Sequence, residues 1–320
     1  MSAAKSGNGG ALHSGCRCAQ ASGTGYLDSD PGTAQSLRMI ATIARPFPAD
    51  HPVLSALLAR PGPAVMGVLN VTPDSFSDGG RFFNPEQALA QARRMIAEGA
   101  DIIDIGAEST RPYGAPQPVS AEEELQRLRP VLAAVAALGA PVSIDSMKSA
   151  VVAWALEAGA GMANDVWGLQ RDPDMARVIA AHNAPVIVMH NRDRADPAID
   201  IMLDIAAFFT RSLEIASRAG IPASHIVLDP GIGFGKTAEQ SMTALARLGE
   251  LRVFGLPLLV GASRKRFISS ITPSEPDQRL GGSIAAHVLA ARNGARIIRT
   301  HDVAETVQAL RVARAIEDLK

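Results

Sequence analysis

Eight short apolar runs alternate with amphipathic helical segments along most of the chain, and this alternation constrains the fold more than any other feature. Such runs predict buried strands, and strands that alternate with helices predict a parallel sheet. The runs are Ala64–Asn70, Asp101–Ile105, Pro141–Ile144, Met162–Asn164, Pro185–Met189, His225–Leu228, Pro257–Val260 and Arg296–Arg299. Eight units match a closed (β/α)₈ barrel of about 250 residues. We therefore expect an α/β TIM barrel in a single domain over residues 64–320, with an open doubly wound sheet as the alternative.

The segments between these runs carry the signals of helices. Helical stretches are expected at Pro85–Glu98, Ala121–Leu138, Lys148–Ala158 and Ile199–Ala219. Ser120 precedes Glu123 by three positions, which is the pattern of a capping box. Gly99, Gly139, Gly220 and Gly294 each stand where a helix is expected to end before the next strand.

The first 63 residues do not share this rhythm. Residues 1–35 are rich in Gly, Ser, Ala and Thr and predict a disordered tail. Residues 36–63 are interrupted by prolines and predict an irregular lead-in that packs against the bottom of the barrel. Cys16 and Cys18 lie in the tail without the further ligands of a zinc site, so we expect neither a metal there nor a disulfide.

Composition excludes several classes of function. The formal net charge is −1, so the chain lacks the basic field that attracts nucleic acid or an anionic membrane surface. No apolar run approaches the roughly 20 residues that cross a bilayer. The first residues lack the apolar segment of a secretory signal. We therefore expect a cytoplasmic protein that binds small molecules.

Polar side chains stand at the carboxyl end of every predicted strand, where barrels place their chemistry. Asp145, Asn164, Asp229 and Lys265 follow apolar runs and are expected to face the barrel mouth. Burying so many polar groups is costly unless they bind one another or a ligand. A carboxylate accepts two parallel N–H bonds and Asn both donates and accepts, so this set suits a flat heterocycle with several N–H groups.

A second group of residues indicates an anion and a metal. Arg299 and His301 end the eighth strand just before a helix begins, an arrangement typical of a phosphate site, and Arg111 could reach the same anion from a loop. Asn70 and Asp78 offer oxygen ligands for Mg²⁺. The residues thus predict a polar heterocycle, a phosphorylated group and a divalent metal.

Two tempting motifs are rejected. The glycines and lysine of residues 231–237 suggest a phosphate-binding loop, but Pro230 stands where that motif needs its first glycine. Residues 233–238 formally match a dinucleotide fingerprint, but no acidic residue follows at the required distance. His190 has neither a partner that marks a nucleophile nor a second histidine at metal-binding spacing.

From about residue 65 to residue 319 the chain resembles the dihydropteroate synthases of folate biosynthesis. The motifs MGVLNVTPDSFSDGG, GAESTRP, IDS, NDVWG, VMHN, DPGIGFGKT, GASRKRF and RTHDV occur in this order. The resemblance implies a barrel that condenses 6-hydroxymethyl-7,8-dihydropterin pyrophosphate with 4-aminobenzoate. It also implies a sulfonamide target and a homodimer formed through the last helices.

The resemblance also implies a role for each matching residue. The pterin would be held by Asp145, Asn164, Asp229 and Lys265, and packed against by Met189 and Phe234. Pyrophosphate would be bound by Arg299 and His301, with Asn70 and Asp78 near Mg²⁺. Ser263 would lie near the aminobenzoate carboxylate, and a mobile loop would carry Thr110 and Arg111. Among these, Asp145, Asp229, Arg111 and Asp78 are the expected catalytic residues, and the two aspartates are expected to be held anionic beside the pterin. A second loop, Thr72 to Gly80, would act as a lid whose Phe76 covers the aminobenzoate ring.

Two departures and two rival functions remain. Tyr113 and Trp167 stand where the family more often has small residues. A methyltetrahydrofolate-dependent methyltransferase shares the pterin cradle but needs no pyrophosphate site. A non-catalytic pterin-binding paralogue would keep the cradle and lose the loop residues, whereas this chain retains both.

Overall fold

In the computed structural model, which describes residues 51–72, 84–108 and 119–319, eight parallel strands form a closed barrel in chain order. The strands are β1 (Ala64–Asn70), β2 (Ile102–Gly106), β3 (Val142–Asp145), β4 (Met162–Asp165), β5 (Val186–Met189), β6 (Ile226–Asp229), β7 (Leu258–Val260) and β8 (Ala295–Thr300). Pairing of β1 with both β2 and β8 closes the ring. The barrel expectation is confirmed, and each strand bound lies within one residue or two of its expected place.

Helices cover the outside of the barrel. They are α1 (Pro52–Leu58), α2 (Pro85–Ala97), α3 (Ala121–Leu128), α4 (Leu132–Ala136), α5 (Ser149–Glu157), α6 (Met175–Ala181), α7 (Ile201–Ala219), α8 (Ala238–Ala246), α9 (Arg266–Ile271), α10 (Leu280–Arg292) and α11 (Val303–Glu317). Three short 3₁₀ segments lie at Ala223–His225, Leu248–Phe254 and Pro276–Gln278. Among the described residues, no helix is long and apolar enough to cross a membrane.

The expected helix Ala121–Leu138 is two helices. The first ends at Leu128 and the second begins at Leu132. Pro130 stands between them, and proline breaks a helix because it lacks an N–H and clashes with the preceding turn. The expected cap at the start of this segment is present, since the Ser120 hydroxyl accepts the Glu123 backbone N–H at 3.1 Å.

The described part of the expected irregular lead-in, residues 51–63, contains a helix. Pro52 occupies the first turn of α1, a position that suits proline, and His51 Nδ1 accepts the Val53 N–H at 3.3 Å. Leu54 and Leu57 of this helix are buried in the same cluster as the inward-facing apolar side chains of the barrel. α1 therefore seals the end of the barrel opposite the mouth, while the predictions for residues 1–50, including Cys16 and Cys18, lie outside the described residues.

Candidate active site

A network of buried polar side chains forms the floor of the barrel mouth. The Arg299 guanidinium lies between two carboxylates, with Nε 2.6 Å from Asp104 Oδ2 and Nη2 2.8 Å from Asp145 Oδ2. Asn164 Nδ2 donates to the same Asp104 oxygen at 3.2 Å. Strand pairing brings these groups together, because Asp145 stands beside Asn164 in the register of β3 and β4. The expected convergence of Asp145, Asn164 and Arg299 is present.

Several acceptors in this floor are left without donors. Asp104 Oδ1, Asp145 Oδ1, Asn164 Oδ1 and the hydroxyl of Ser143 are buried and have no hydrogen-bond partner in the described structure. An unsatisfied buried polar atom costs about 1–3 kcal/mol, so natural proteins retain a group of them where a ligand satisfies them. Three of the four are pure acceptors, which predicts a ligand that presents N–H donors.

Asp229 and Lys265 extend the floor on its other side. Asp229 Oδ1 accepts the Gly231 N–H at 2.7 Å, in the turn that follows β6. Lys265 Nζ lies 4.0 Å from the centre of the Phe234 ring, within the range of a cation–π contact. Met189 ends β5 and is paired in register with Asp229. These four residues therefore surround the mouth together, as expected.

Burial changes the ionisation of the two aspartates. It raises the pKa of Asp145 to about 7, against the opposing effect of the Arg299 charge, and the neighbouring Asp104 adds to the rise. Burial also raises the pKa of Asp229 to about 6, with the Gly231 N–H and the Lys265 charge acting in the opposite direction. These pKa values lie near neutrality in the ligand-free protein, and N–H donors of a ligand favour the charged form, so the expectation that both are anionic beside the pterin stays a prediction.

Arg299 and His301, the two residues expected to bind an anion at the end of β8, are one cation and one neutral side chain. Burial and the Arg299 charge lower the pKa of His301 to about 3, so its imidazole is neutral where a second cation was expected. The Ser263 hydroxyl lies 3.0 Å from His301 Nδ1 and accepts the His301 backbone N–H at 3.2 Å. Ser263 is therefore placed against His301, and its expected contact with aminobenzoate stays a prediction.

The remaining expected residues fall partly outside the described ranges. Asn70 ends β1 at the mouth and is half-buried. Thr110, Arg111 and Asp78, together with Phe76 and Tyr113, lie outside the described residues. Trp167 follows β4, and the Arg171 guanidinium covers its ring at 4.4 Å. Within residues 51–72, 84–108 and 119–319, no group of three or more His, Cys, Asp or Glu side chains could hold a metal ion.

Sequence reasoning missed two buried charged residues. Asp104 is fully buried in β2, and Lys236 is 8% exposed in the loop after β6. The signal for Asp104 was a carboxylate inside the apolar run Ile102-Ile103-Asp104-Ile105. Lys236 belongs to the glycine-rich segment that was set aside as a false phosphate loop, so its own chemistry went unconsidered.

Comparison with known proteins assigns the chain to one family. Residues 66–301 match the model of the pterin-binding enzymes. The chain is 42% identical to the dihydropteroate synthase of Bacillus subtilis over 267 residues, which cover 83% of this chain and 93% of that protein. It is 47% identical, at a TM-score of 0.77, to a Clostridium difficile dihydropteroate synthase crystallised in the presence of pteroic acid, covering 80% and 97% of the two chains. The Xanthomonas albilineans enzyme with 4-aminobenzoic acid gives 44% identity and a TM-score of 0.77, covering 81% and 94%. The chain therefore belongs to the pterin-binding enzyme family, among its dihydropteroate synthases.

Proposed function

We propose that the chain condenses 6-hydroxymethyl-7,8-dihydropterin pyrophosphate with 4-aminobenzoate to give 7,8-dihydropteroate and pyrophosphate. The observation that carries this proposal is the group of donor-free buried acceptors on Asp104, Asp145 and Asn164 at the mouth of the barrel. A pterin presents an amino group and ring N–H groups on one edge, which is the complement of such a floor. The related enzymes crystallised with pteroic acid and 4-aminobenzoic acid support the same pair of substrates.

The floor orients the pterin by charge as well as by hydrogen bonds. The Asp145 carboxylate accepts two parallel N–H bonds from the guanidine-like edge of the ring, and Asn164 pairs with the neighbouring polar atoms. Lys265 donates to a ring acceptor from above the Phe234 ring. Donors that approach Asp145 and Asp229 favour the ionised carboxylates, so binding of the pterin lowers the pKa of both.

The pyrophosphate lies toward β8. Arg299 contributes a permanent positive charge there, and neutral His301 contributes a hydrogen-bond donor. The Ser263 hydroxyl accepts the His301 main-chain N–H and lies 3.0 Å from Nδ1. We assign the hydroxyl proton to the bond with Nδ1, which places the imidazole proton on Nε2, where it can face the anion. Arg111, which lies outside the described residues, is the proposed source of a second positive charge.

The reaction exchanges one bond for another at the pterin methylene carbon. The C–O bond to pyrophosphate breaks, and its electron pair leaves on the pyrophosphate oxygen. The reduced pterin delocalises the resulting cation, which Asp145 and Asp229 stabilise electrostatically from the floor. The lone pair of the aminobenzoate nitrogen forms the new C–N bond, and the amine then releases a proton. An aniline is a free base at neutral pH, so the site needs no strong general base. The loops that carry Asp78 and Arg111 lie outside the described residues, and their proposed role is to exclude the water that would hydrolyse the cation.

Asn70 and Asp78 are the residues proposed to hold Mg²⁺. Of these two residues, Asn70 lies within the described part of the chain, at the end of β1, and its carboxamide offers one hard neutral oxygen, which fits an ion that is bound mainly by water and substrate phosphates. When bound there, Mg²⁺ would supply neutralisation of the pyrophosphate charge. The Asp78 carboxylate would add a second oxygen from the lid.

The last helices are the proposed surface of a homodimer. Leu289 on α10 and Val312 and Ile316 on α11 are each more than half exposed, and the two helices pack against each other. Large apolar side chains grouped on one surface favour association with another protein surface. A second copy of this chain is the proposed partner, and the cytoplasm is the proposed location.

The test is a direct assay of both products. The purified chain is incubated with the pterin pyrophosphate, 4-aminobenzoate and Mg²⁺, and both pyrophosphate and dihydropteroate are quantified. The proposal predicts equal amounts of the two products, each dependent on aminobenzoate. Pterin binding without either product would instead identify a non-catalytic pterin-binding protein, and methyl transfer from methyltetrahydrofolate would identify a methyltransferase.

A further inference from the structure

The loop after β6 closes around the ammonium of its own lysine. Lys236 Nζ lies 2.6 Å from His190 Nδ1, 2.9 Å from the Gly231 carbonyl oxygen and 3.1 Å from the Phe234 carbonyl oxygen. A protonated lysine has three N–H donors, and here three acceptors surround it. The geometry matches the charged form of the side chain, with every donor satisfied away from water. Burial lowers the pKa of Lys236 to about 7, against the opposing effect of the Asp229 and Asp204 charges, so the charged form prevails below neutral pH.

The charge on Lys236 fixes the protonation of its neighbours. His190 Nδ1 accepts from the ammonium, so the imidazole proton resides on Nε2, which donates to Asp204 Oδ2 at 2.9 Å. Burial and the Lys236 charge lower the pKa of His190 to about 4, in keeping with a neutral ring. Arg192 Nη1 lies 2.8 Å from the other Asp204 oxygen, so Asp204 pairs with both His190 and Arg192.

The glycines of this loop allow its close approach to β5. Gly231 has a φ of +64°, and a Cβ there would lie 2.0 Å from the His190 carbonyl oxygen. Gly235 has a φ of +53°, and its Cβ would lie 2.4 Å from the Arg192 carbonyl oxygen. Phosphate loops direct backbone N–H groups inward, whereas this loop directs two carbonyl oxygens onto a cation. The loop is built around an internal ammonium.

Two contacts connect this ammonium to the pterin floor. Lys236 holds the main chain of Phe234, and the ring of Phe234 lies 4.0 Å from Lys265 Nζ. Lys236 and Lys265 both place positive charge near Asp229 and oppose the rise of its pKa. Displacement of the loop would therefore disturb one pterin-binding cation and the ionisation of one pterin-binding carboxylate.

We propose that Lys236 is a positioning residue for the pterin, and that its ammonium holds the loop that places Phe234 and Lys265 over the substrate. Lys236 makes no contact with the reacting atoms and acts through these two side chains. The inference rests on the proposed function and adds to it a residue that the mechanism above does not use.

The test compares Lys236→Met with Thr237→Ala. Lys236→Met keeps an unbranched side chain and removes all three hydrogen bonds. Thr237 is the next residue and caps α8 through reciprocal hydrogen bonds with Gln240, each of 3.0 Å. Its substitution therefore destabilises the same segment and leaves the three hydrogen bonds of Lys236 in place. Pterin pyrophosphate affinity is measured by calorimetry without aminobenzoate. Lys236→Met should raise the Kd at least about tenfold, because bonds to a charged group are lost. Thr237→Ala should lower the melting temperature and keep the Kd within about twofold.

A second measurement separates positioning from general loosening. The acid limb of kcat/KM for the pterin should move to higher pH in Lys236→Met, because Asp229 then faces only Lys265, Arg299 and the Gly231 N–H. It should not move in Thr237→Ala. A wild-type Kd in Lys236→Met, or an equal loss of affinity in Thr237→Ala, would overturn the inference.

A charge-retaining variant covers the case in which Lys236→Met does not fold. Lys236→Arg keeps the charge but cannot direct three bonds from one atom, so it should bind the pterin at least about tenfold more weakly with the acid limb in place. Wild-type affinity in Lys236→Arg would contradict the proposal that the three hydrogen bonds of Lys236 hold the loop in place. Pterin binding by the wild-type chain without dihydropteroate formation would contradict the proposed reaction alone, since the comparison of Kd values does not depend on turnover.

Discussion

Asp104 and Arg299 are 195 residues apart in the chain, yet Asp104 Oδ2 and Arg299 Nε lie 2.6 Å apart at the floor of the barrel. The Asp104 side chain is fully buried and also accepts from Asn164. Asp104 thereby fixes the guanidinium that faces Asp145 on one side and the proposed pyrophosphate position on the other. Together with the Arg299–Asp145 pair, this contact connects the proposed pterin floor to the proposed pyrophosphate position.

The first prediction concerns this pair. Asp104→Asn preserves the shape of the side chain and leaves the Arg299 charge with one carboxylate fewer in a buried position. We expect kcat/KM for the pterin pyrophosphate to fall about 100-fold, because a small displacement of a positioning charge has effects of that order. Steady-state kinetics and circular dichroism on the same preparation measure the effect.

Asp101→Asn is the matched control at the other end of β2. Asp101 accepts the Val65 N–H at 2.9 Å and pairs with Arg60 at 2.9 Å, away from the mouth. Its substitution should cost about 1 kcal/mol of unfolding free energy and leave kcat/KM within about twofold. Equal kinetic losses in the two variants would contradict a specific role for Asp104.

The pH profile of the reaction follows from the buried carboxylates. A carboxyl whose pKa is raised keeps its proton to higher pH, so Asp229, with a pKa of about 6, and Asp145, with a pKa of about 7, accept N–H donors fully only above these values. We expect kcat/KM to rise from about pH 5 to about pH 8 and then to level. The corresponding limb of kcat should lie at lower pH, because the bound pterin favours both carboxylates. Initial rates from pH 5 to pH 8.5 measure both limbs, and a flat kcat/KM over this range would contradict the account.

The proposed dimer surface can be broken without touching the barrel. Val312→Glu and Ile316→Glu together place two charges on the exposed apolar face of α11. Light scattering should then give the mass of one chain where the wild type gives two. Leu203→Glu on α7 serves as the control, because Leu203 is 47% exposed outside the last helices and its substitution should leave the mass unchanged. A dimer that survives the double substitution would locate the interface elsewhere.

The parts of the fold that depend on local pattern were predictable from the sequence. Each strand is a short, largely apolar run that ends at a polar residue or is followed by one within three positions, so its bounds and its functional end are local properties. Asp145, Asn164 and Asp229 were found for this reason. The break at Pro130 also has a local signal, the proline itself, but the helical periodicity of residues 121–138 led to the prediction of one helix. Pro52 is likewise a local signal for the start of α1, but the prolines of this segment led to the prediction of irregular structure.

Features that depend on which residues contact each other in the folded chain were not predictable from the sequence. In the sequence, Asp104 is a single carboxylate inside an apolar strand, and its partner Arg299 lies 195 residues away along the chain. Lys236 gave no signal because its acceptors are two main-chain carbonyls and one histidine, which no spacing encodes. The neutral state of His301 also follows from burial, which sequence patterns do not report.

The central claim is that the barrel floor binds the pterin and stabilises its cation through Asp145. Turnover and pterin binding of Asp145→Asn, measured on the folded variant, test it most directly. The account predicts a kcat at least about 100-fold below that of the wild type, because one electrostatic partner of the transition state is lost, together with weaker binding of the pterin pyrophosphate. Turnover near the wild-type rate in Asp145→Asn would contradict it.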